Sequence, residues 1–159
     1  MTRDDRTLTM TMVMEPKHAN VYGAVHGGEI MHIMDTTAGC TAIKYANCRC
    51  VTAGVDEMRF MKPLEVGSFV TCTGVIAYTG KTSIEVLVTV DTENIRTIYS
   101  KDRAVEGFFT YVAIDKDGHP APVPQFVPET EEEKELFERV RTRREYTRER
   151  REKIKDLKE

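Results

Sequence analysis

The stretch NVYGAVHGGEIMHIMDTTAGCTAIKYA, residues 20–46, decides the fold that the sequence predicts. It begins as a glycine-rich loop and continues over residues 28–46 as a mostly apolar segment without proline. Apolar residues recur there at the spacing of a helix face, from Met31 to Met34 and Ala38. A helix that is apolar nearly all round is usually buried, so we predict one central, buried helix.

Segments with strand periodicity surround this helix. Residues 7–14 alternate apolar and polar side chains. Four more such runs follow the helix, over residues 50–60, 68–78, 83–91 and 103–114. Strands joined by short turns usually pair antiparallel, and one helix cannot form a layer for two sheets. The sequence therefore predicts an α+β fold, in which an antiparallel five-stranded sheet wraps around one central helix.

The composition changes at residue 129. Residues 129–159 contain 11 acidic and 11 basic residues and few apolar ones. Thr130 followed by Glu133 is a capping box, and acids precede bases as the helix dipole favours. We expect a main domain over residues 1–128 and a charged, solvated helix over 129–159; a tail that binds a partner is the alternative. Three apolar side chains could dock its first turns: Leu136, Phe137 and Val140.

Length and charge exclude several classes of protein. A chain of 159 residues suits one domain, and 40% hydrophobic with 31% charged residues is typical of soluble globular proteins. The net charge of −3 gives no support to nucleic-acid binding. No apolar run is long enough to cross a membrane, and the sequence MTRDDRTLTM lacks the apolar core of a signal peptide. We expect a cytoplasmic protein without a nucleic-acid or membrane partner.

The cysteines and histidines form no recognisable metal motif. Cys48 and Cys50 are separated by one residue, whereas zinc knuckles and redox motifs have two residues between their cysteines. Reduced thiols are the expected state in a cytoplasmic protein, and a metal or disulfide site is the alternative. The sequence therefore predicts neither a metal nor a cofactor.

Asp35 lies among the apolar residues of the predicted helix, so we expect it to be at least half buried. Burial of a carboxylate is costly unless the group is paired or hydrogen-bonded. No lysine or arginine lies three or four positions away, and His32, three positions before Asp35, is the only nearby candidate partner. Two interpretations stay open: an aspartate bonded to a neighbouring loop, or a carboxylate that acts as general base or nucleophile.

Gly27 and Gly28 lie where the helix begins. A helix N-terminus presents unpaired N–H groups, and glycine lets a ligand approach them closely. Such groups can hold the oxyanion that forms when a carbonyl is attacked, and Asp35 could activate water near that carbonyl. The alternative is a tight turn into a buried helix. His26 could add a donor or could only pack at the loop.

The pattern N-x-x-G-x-x-H-G-G over residues 20–28, followed by Asp35, resembles the hotdog-fold acyl-CoA thioesterases. Three further stretches are similar to the bacterial and brain-type acyl-CoA hydrolases of that family. These are TGKTS at 79–83, FFTYVAID at 108–115 and PETEEEK at 128–134. The resemblance implies the hotdog fold, a homodimer with active sites between the subunits, and a trimer of such dimers, a hexamer.

The resemblance also implies a reaction, the hydrolysis of acyl-CoA thioesters to the free carboxylic acid and coenzyme A. The backbone N–H of Gly28 would polarise the carbonyl, and Asp35 would activate water or attack directly. Asn20 of the other chain would position the water or the carbonyl. His26 stands where many close members have an aromatic residue, and it is kept as a candidate catalytic residue. A His-Gly-Gly form is more typical of the phenylacetyl-CoA type, which leaves the substrate preference open.

Coenzyme A carries phosphates, so its site needs cations or N–H donors. The candidates are Gly80, Lys81, Thr82, Ser83, Lys62 and Arg103. Lys81, in the turn, is the leading one. For Lys62 and Arg103 the alternative is a solvated surface charge, and for the turn it is a plain hairpin. Coenzyme A, as part of the substrate, is the only cofactor-like group expected.

Two other functions are compatible with parts of this pattern. A hotdog dehydratase acting on hydroxyacyl thioesters would pair a histidine with a carboxylate, and His26 could supply the histidine. The proline-bearing loop typical of those enzymes is absent. A non-catalytic acyl-CoA-binding module would keep Lys81 but would need neither Asp35 nor Asn20.

Overall fold

The computed structural model describes residues 3–94 and 101–156, and the structural statements refer to this part of the chain. Its main elements follow in the order β1 (Thr7–Val13), α1 (Gly27–Ala46), β2 (Arg49–Phe60), β3 (Phe69–Thr79), β4 (Ser83–Glu93), β5 (Lys101–Ile114) and α2 (Glu131–Asp156). Short 3-10 turns cover Arg3–Arg6 and Pro16–His18. The predicted order of one strand, one helix and four strands is confirmed.

The five strands form one antiparallel sheet in the order β1-β3-β4-β5-β2. A tight turn joins β3 to β4, where the N–H of Gly80 donates to the carbonyl of Ser83 at 2.8 Å. The predicted α+β fold, with one five-stranded antiparallel sheet and a helix packed against it, is confirmed. Strands β1 and β2 lie at the two edges of the sheet.

Helix α1 buries one side against the sheet. The buried side chains are Ile30, Ile33, Met34, Thr37, Ala38, Thr41, Ala42 and Tyr45. Helix α1 approaches β3 closely at Gly74, where a Cβ atom would overlap the hydroxyl of Thr41. The Thr37 and Thr41 hydroxyls donate to the carbonyls of Ile33 and Thr37, at 2.8 and 2.7 Å. These buried polar groups are therefore satisfied within the helix.

The side of α1 that faces away from the sheet is not buried, so the prediction of all-round burial is wrong. Met31, which was placed in the buried stripe, is 44% exposed, and Ile43 is 46% exposed. Cys40 is exposed as well. The reason is geometric, because a single sheet covers only one side of a helix. Helix α1 therefore has more apolar side chains than the sheet of a single chain buries.

Helix α2 packs on the other face of the sheet. Successive strand residues point to opposite faces, and Phe109 joins the cluster around α1 whereas Phe108 joins the cluster around α2. The docking predicted for the first turns of α2 is confirmed: Val140 is fully buried, and Phe137 lies 5.0 Å from Tyr78 between ring centroids. Leu136 packs against the same cluster.

The predicted capping box begins α2. The Glu133 N–H donates to Thr130 Oγ1 at 3.2 Å, and the Thr130 N–H donates to Glu133 Oε2 at 3.3 Å. The expectation that the charged helix is solvated is wrong for its middle turns. Glu85 of β4 is 2% exposed and accepts hydrogen bonds from Arg143 and Arg144, both at 2.6 Å. The charge pattern of α2 alone does not predict this contact, because the partner, Glu85, lies on a strand that is distant in the sequence.

Within the described residues, neither long helix combines the length and hydropathy that a bilayer crossing requires.

Candidate active site

The Asp35 side chain extends from α1 toward the strands β2 and β5, and it is partly buried as predicted. Thr52 of β2 donates its hydroxyl to Asp35 Oδ1 at 3.0 Å. The Tyr111 hydroxyl of β5 lies 2.7 Å from the same oxygen. Thr52 and Tyr111 are direct register partners, so the two strands present both hydroxyls at one point. The carboxylate is therefore held by hydroxyl groups rather than by a cation, and His32 is exposed instead of serving as its partner.

Sequence reasoning missed Thr52 and Tyr111 as members of this site. The available signal was the alternation along β5, which places Phe109, Tyr111 and Ala113 on the face that contacts α1. A tyrosine among apolar residues on a buried face usually directs its hydroxyl to a polar partner. Asp35 is the carboxylate of α1 for which the sequence shows no lysine or arginine as a nearby partner.

Tyr111 keeps its proton in this setting. The side chain is 4% exposed, and burial raises the pKa of its hydroxyl. The hydrogen bond and the negative charge of Asp35 raise the Tyr111 pKa further. The group therefore acts as a hydrogen-bond donor to the carboxylate at ordinary pH.

His26 is the N-cap of α1. The Gly28 N–H donates to His26 Nδ1 at 2.9 Å, and the Glu29 N–H donates to the His26 carbonyl at 3.0 Å. Accepting this bond requires a neutral imidazole with an unprotonated Nδ1. The Gly28 N–H, which the sequence predicts as the oxyanion donor, is thus already bonded to His26 Nδ1. A carbonyl that accepts from the Gly28 N–H would replace the His26 imidazole as its partner.

Asn20 organises its own loop. Its Oδ1 accepts hydrogen bonds from the N–H groups of Tyr22 at 2.9 Å and Ala24 at 3.3 Å. The loop tip presents Val21 and Tyr22, which are 92% and 91% exposed. No hydrogen bond joins Asn20 to Asp35 within the described chain.

The turn after β3 lies against the segment that follows β5. The Val123 N–H donates to the Lys81 carbonyl at 3.1 Å, and Gln125 Nε2 donates to the Gly80 carbonyl at 3.0 Å. The Lys81 side chain itself is exposed, while Thr82 and Ser83 are partly buried. The backbone of this turn is thus held, and its lysine is turned to solvent.

Arg103 and Lys62 lie far from that turn. Arg103 Nε donates to Asp91 at 2.6 Å, and Lys62 forms an ion pair with Asp102 at 3.0 Å. Asp91 follows Ser83 by eight residues along β4, which is about 27 Å at the rise of a strand. The six predicted coenzyme A residues therefore form two separate groups in one chain. A cavity of about 300 Å³ beside Lys62 also holds the carboxylates of Glu65 and Asp102, which disfavour a phosphate.

Comparisons with known proteins identify the family to which the chain is similar. A family model described as the thioesterase superfamily matches residues 22–99. The cytosolic acyl coenzyme A thioester hydrolase of Rattus norvegicus is 40% identical over 124 residues, which are 77% of this chain and 32% of that protein. The chain thus spans about a third of the length of this relative.

Two solved structures are similar over nearly the whole chain. An apo-hexameric acyl-CoA thioesterase is 37% identical with a TM-score of 0.88, and the match covers 92% of this chain and 94% of the other. An acyl-CoA hydrolase from Staphylococcus aureus, in complex with butyryl coenzyme A, coenzyme A and coenzyme A disulfide, is 28% identical. Its TM-score is 0.84, with 97% of this chain and 91% of the other covered.

Proposed function

The chain belongs to the acyl-CoA thioester hydrolases of the thioesterase superfamily, and from this membership we propose that it hydrolyses acyl-CoA thioesters. The products are the free carboxylic acid and coenzyme A. The observation that carries the proposal is a partly buried carboxylate, Asp35, held by the hydroxyls of Thr52 and Tyr111 in a helix whose buried side chains are mostly apolar. A carboxylate with fixed partners and no cation is suited to act on water or on a carbonyl.

The reaction assigns a role to each residue. Asp35 takes a proton from water, which attacks the thioester carbonyl carbon. In the alternative, Asp35 attacks that carbon itself, and after coenzyme A has left, water cleaves the acyl–Asp35 anhydride to the free acid and the carboxylate. The Gly28 N–H donates to the oxyanion that forms, after the His26 imidazole has moved away. The carbon–sulfur bond then breaks, and the proton that Asp35 took from water passes to the sulfur, so that coenzyme A leaves as a thiol and the Asp35 carboxylate is regenerated; in the alternative route the sulfur takes its proton from solvent. Asn20, supplied by a second subunit, positions the water or the carbonyl.

The assembly that we propose is a homodimer with active sites between subunits, with three such dimers in a hexamer. The outer side of β2 supports an interface, because twelve residues there form an edge of the sheet and expose Val51 and Val55. Long edges with apolar side chains favour association with another chain. The exposed apolar side of α1, including Met31 and Ile43, favours the same conclusion.

For coenzyme A we propose the turn formed by Gly80, Lys81, Thr82 and Ser83 as the phosphate contact. An exposed ammonium beside two hydroxyls is compatible with phosphate binding. Lys62 and Arg103 are weaker candidates, because each is already paired with an aspartate. Their recruitment would require these ion pairs to open.

Release of free thiol from acyl-CoAs of short, medium and long chains tests the proposed function. We expect purified protein to hydrolyse at least one chain-length class, and the profile of kcat/KM then defines the substrate class. Protein inactivated by heat provides the background rate. Binding of acyl-CoA without thiol release would contradict hydrolysis and favour a binding module, whereas hydration or dehydration of the acyl chain would favour a dehydratase.

Replacement of His26 by alanine tests whether its imidazole masks the Gly28 N–H. We expect kcat/KM to rise by about three- to tenfold, because the substrate no longer displaces a hydrogen bond worth about 1 kcal/mol. The melting temperature should fall at the same time, since α1 loses its N-cap. Steady-state kinetics and thermal unfolding measure the two effects.

His32→Ala is the matched control, because His32 is an exposed histidine of the same helix and should leave both values unchanged. A fall in kcat/KM on replacing His26, with His32→Ala unaffected, would instead indicate that His26 takes a direct part in the reaction.

A further inference from the structure

We propose that Tyr111 is a positioning residue that reserves Oδ1 of Asp35 for protein contacts and leaves Oδ2 as the reacting oxygen. This inference rests on the proposed function and makes it more specific. It identifies the side chain that orients the carboxylate and the atom through which the carboxylate acts.

The hydrogen bonds to Asp35 are distributed unevenly. Both Thr52 and Tyr111 donate to Oδ1, at 3.0 and 2.7 Å. Among the residues that the structure describes, no donor contacts Oδ2. Two donors on one oxygen stabilise the negative charge there and make that oxygen the poorer base. Proton abstraction or attack therefore proceeds through Oδ2.

Tyr111 also ties the carboxylate to its own helix. Its hydroxyl lies 2.7 Å from the main-chain carbonyl oxygen of Asp35, as well as from Oδ1. The hydroxyl carries one proton, and the charged oxygen is the stronger acceptor. The hydrogen bond to Oδ1 restricts the rotation of the Asp35 side chain relative to α1.

Gly39 makes the approach of Tyr111 feasible. It lies one helical turn after Asp35, on the same side of α1. A Cβ atom at this position would lie 3.0 Å from the Tyr111 hydroxyl and 3.3 Å from Cε1 of its ring. A larger residue at Gly39 would require the phenol to shift by a few tenths of an ångström. The glycine and the tyrosine thus act together to place Oδ1.

The test is the kinetics of Tyr111→Phe on the acyl-CoA that the wild type hydrolyses best. We expect kcat to fall by about tenfold to a hundredfold. A general base usually raises the rate by about 10²- to 10⁴-fold, and the Thr52 hydroxyl would still partly orient the Asp35 carboxylate. KM should stay within about twofold, because a group that acts only in the transition state leaves ground-state binding unchanged.

Tyr45→Phe is the matched control. Tyr45 is a tyrosine of α1 that is 2% exposed and lies ten residues beyond Asp35. Both variants lose one phenolic hydroxyl from the core, so a purely structural effect should appear in both as a lower melting temperature. Only Tyr111→Phe should lose kcat.

Wild-type kcat in Tyr111→Phe, together with a large loss in Asp35→Asn, would overturn this inference and leave the proposed function standing. A rise in KM that accounts for the whole loss would also overturn it. Wild-type protein that hydrolyses no acyl-CoA would overturn both.

Discussion

Asp35→Asn is expected to lower kcat for acyl-CoA hydrolysis by about 10²- to 10⁴-fold, the usual contribution of a general base. The amide keeps the shape of the side chain, and its oxygen can still accept from Thr52 and Tyr111. It can neither take a proton from water nor attack the carbonyl. The variant should remain folded, because the change removes a partly buried charge. Thiol release under saturating acyl-CoA measures the effect.

Asp56→Asn provides the control for the chemistry of this substitution. Asp56 is an exposed aspartate of β2 whose Oδ1 accepts from the Glu57 N–H at 3.0 Å, a bond that an amide oxygen can also accept. Its kcat should equal that of the wild type. If Asp35→Asn retained its rate while its oligomeric state and melting temperature were unchanged, Asp35 would be a structural aspartate, and the proposed mechanism would fail.

Glu85→Ala is expected to lower the free energy of unfolding by about 3–5 kcal/mol, the cost of leaving a buried charge without its partner. The Arg143 side chain is 10% exposed and stacks 4.0 Å above the ring of Phe108. Its Nη1 already has no hydrogen-bond partner among the residues that the structure describes. Without Glu85 the guanidinium must remain unpaired or pull α2 away from the sheet. Denaturant unfolding at a fixed protein concentration measures the change, since the proposed association of subunits would add to the stability.

Glu106→Ala separates this effect from ordinary loss of an ion pair. Glu106 contacts Arg139 at 3.4 Å on the same face, but the two side chains are 23% and 47% exposed. Exposed pairs contribute about 1 kcal/mol or less, so this variant should differ little from the wild type. Combining Glu85→Leu with Arg143→Met should recover much of the stability, because an apolar pair can replace a buried ion pair. Equal losses in Glu85→Ala and Glu106→Ala would contradict a special role for the buried pair.

The elements of the fold were predictable because their signals are local. Alternation along residues 83–91 predicts the strand observed at Ser83–Glu93, and apolar spacing over 28–46 predicts the helix observed at Gly27–Ala46. These patterns depend on neighbours within a few residues, which is the scale at which side-chain direction is set. The capping box at the start of α2 is local in the same sense.

The partners of the candidate site were not predictable in this way. Thr52 and Tyr111 lie 17 and 76 positions from Asp35, and Arg143 lies 58 positions from Glu85. Nothing in the sequence around Asp35 or Glu85 indicates these contacts, because they arise only when strands pair and helices dock. The same limit applies to Lys62 and Arg103, whose aspartate partners became apparent only in the folded chain.

The sequence by itself determined the order of strands and helices, the position of a carboxylate inside α1, and, through resemblance, the family. Only the tertiary structure decided which side of α1 is covered, which hydroxyls hold Asp35 and where α2 docks. The physical reason is that secondary structure follows from short-range periodicity, whereas burial and hydrogen-bond partners depend on which distant segments meet. In this protein β2 and β5 meet beside α1, and their two hydroxyls hold the carboxylate on which the proposed reaction depends.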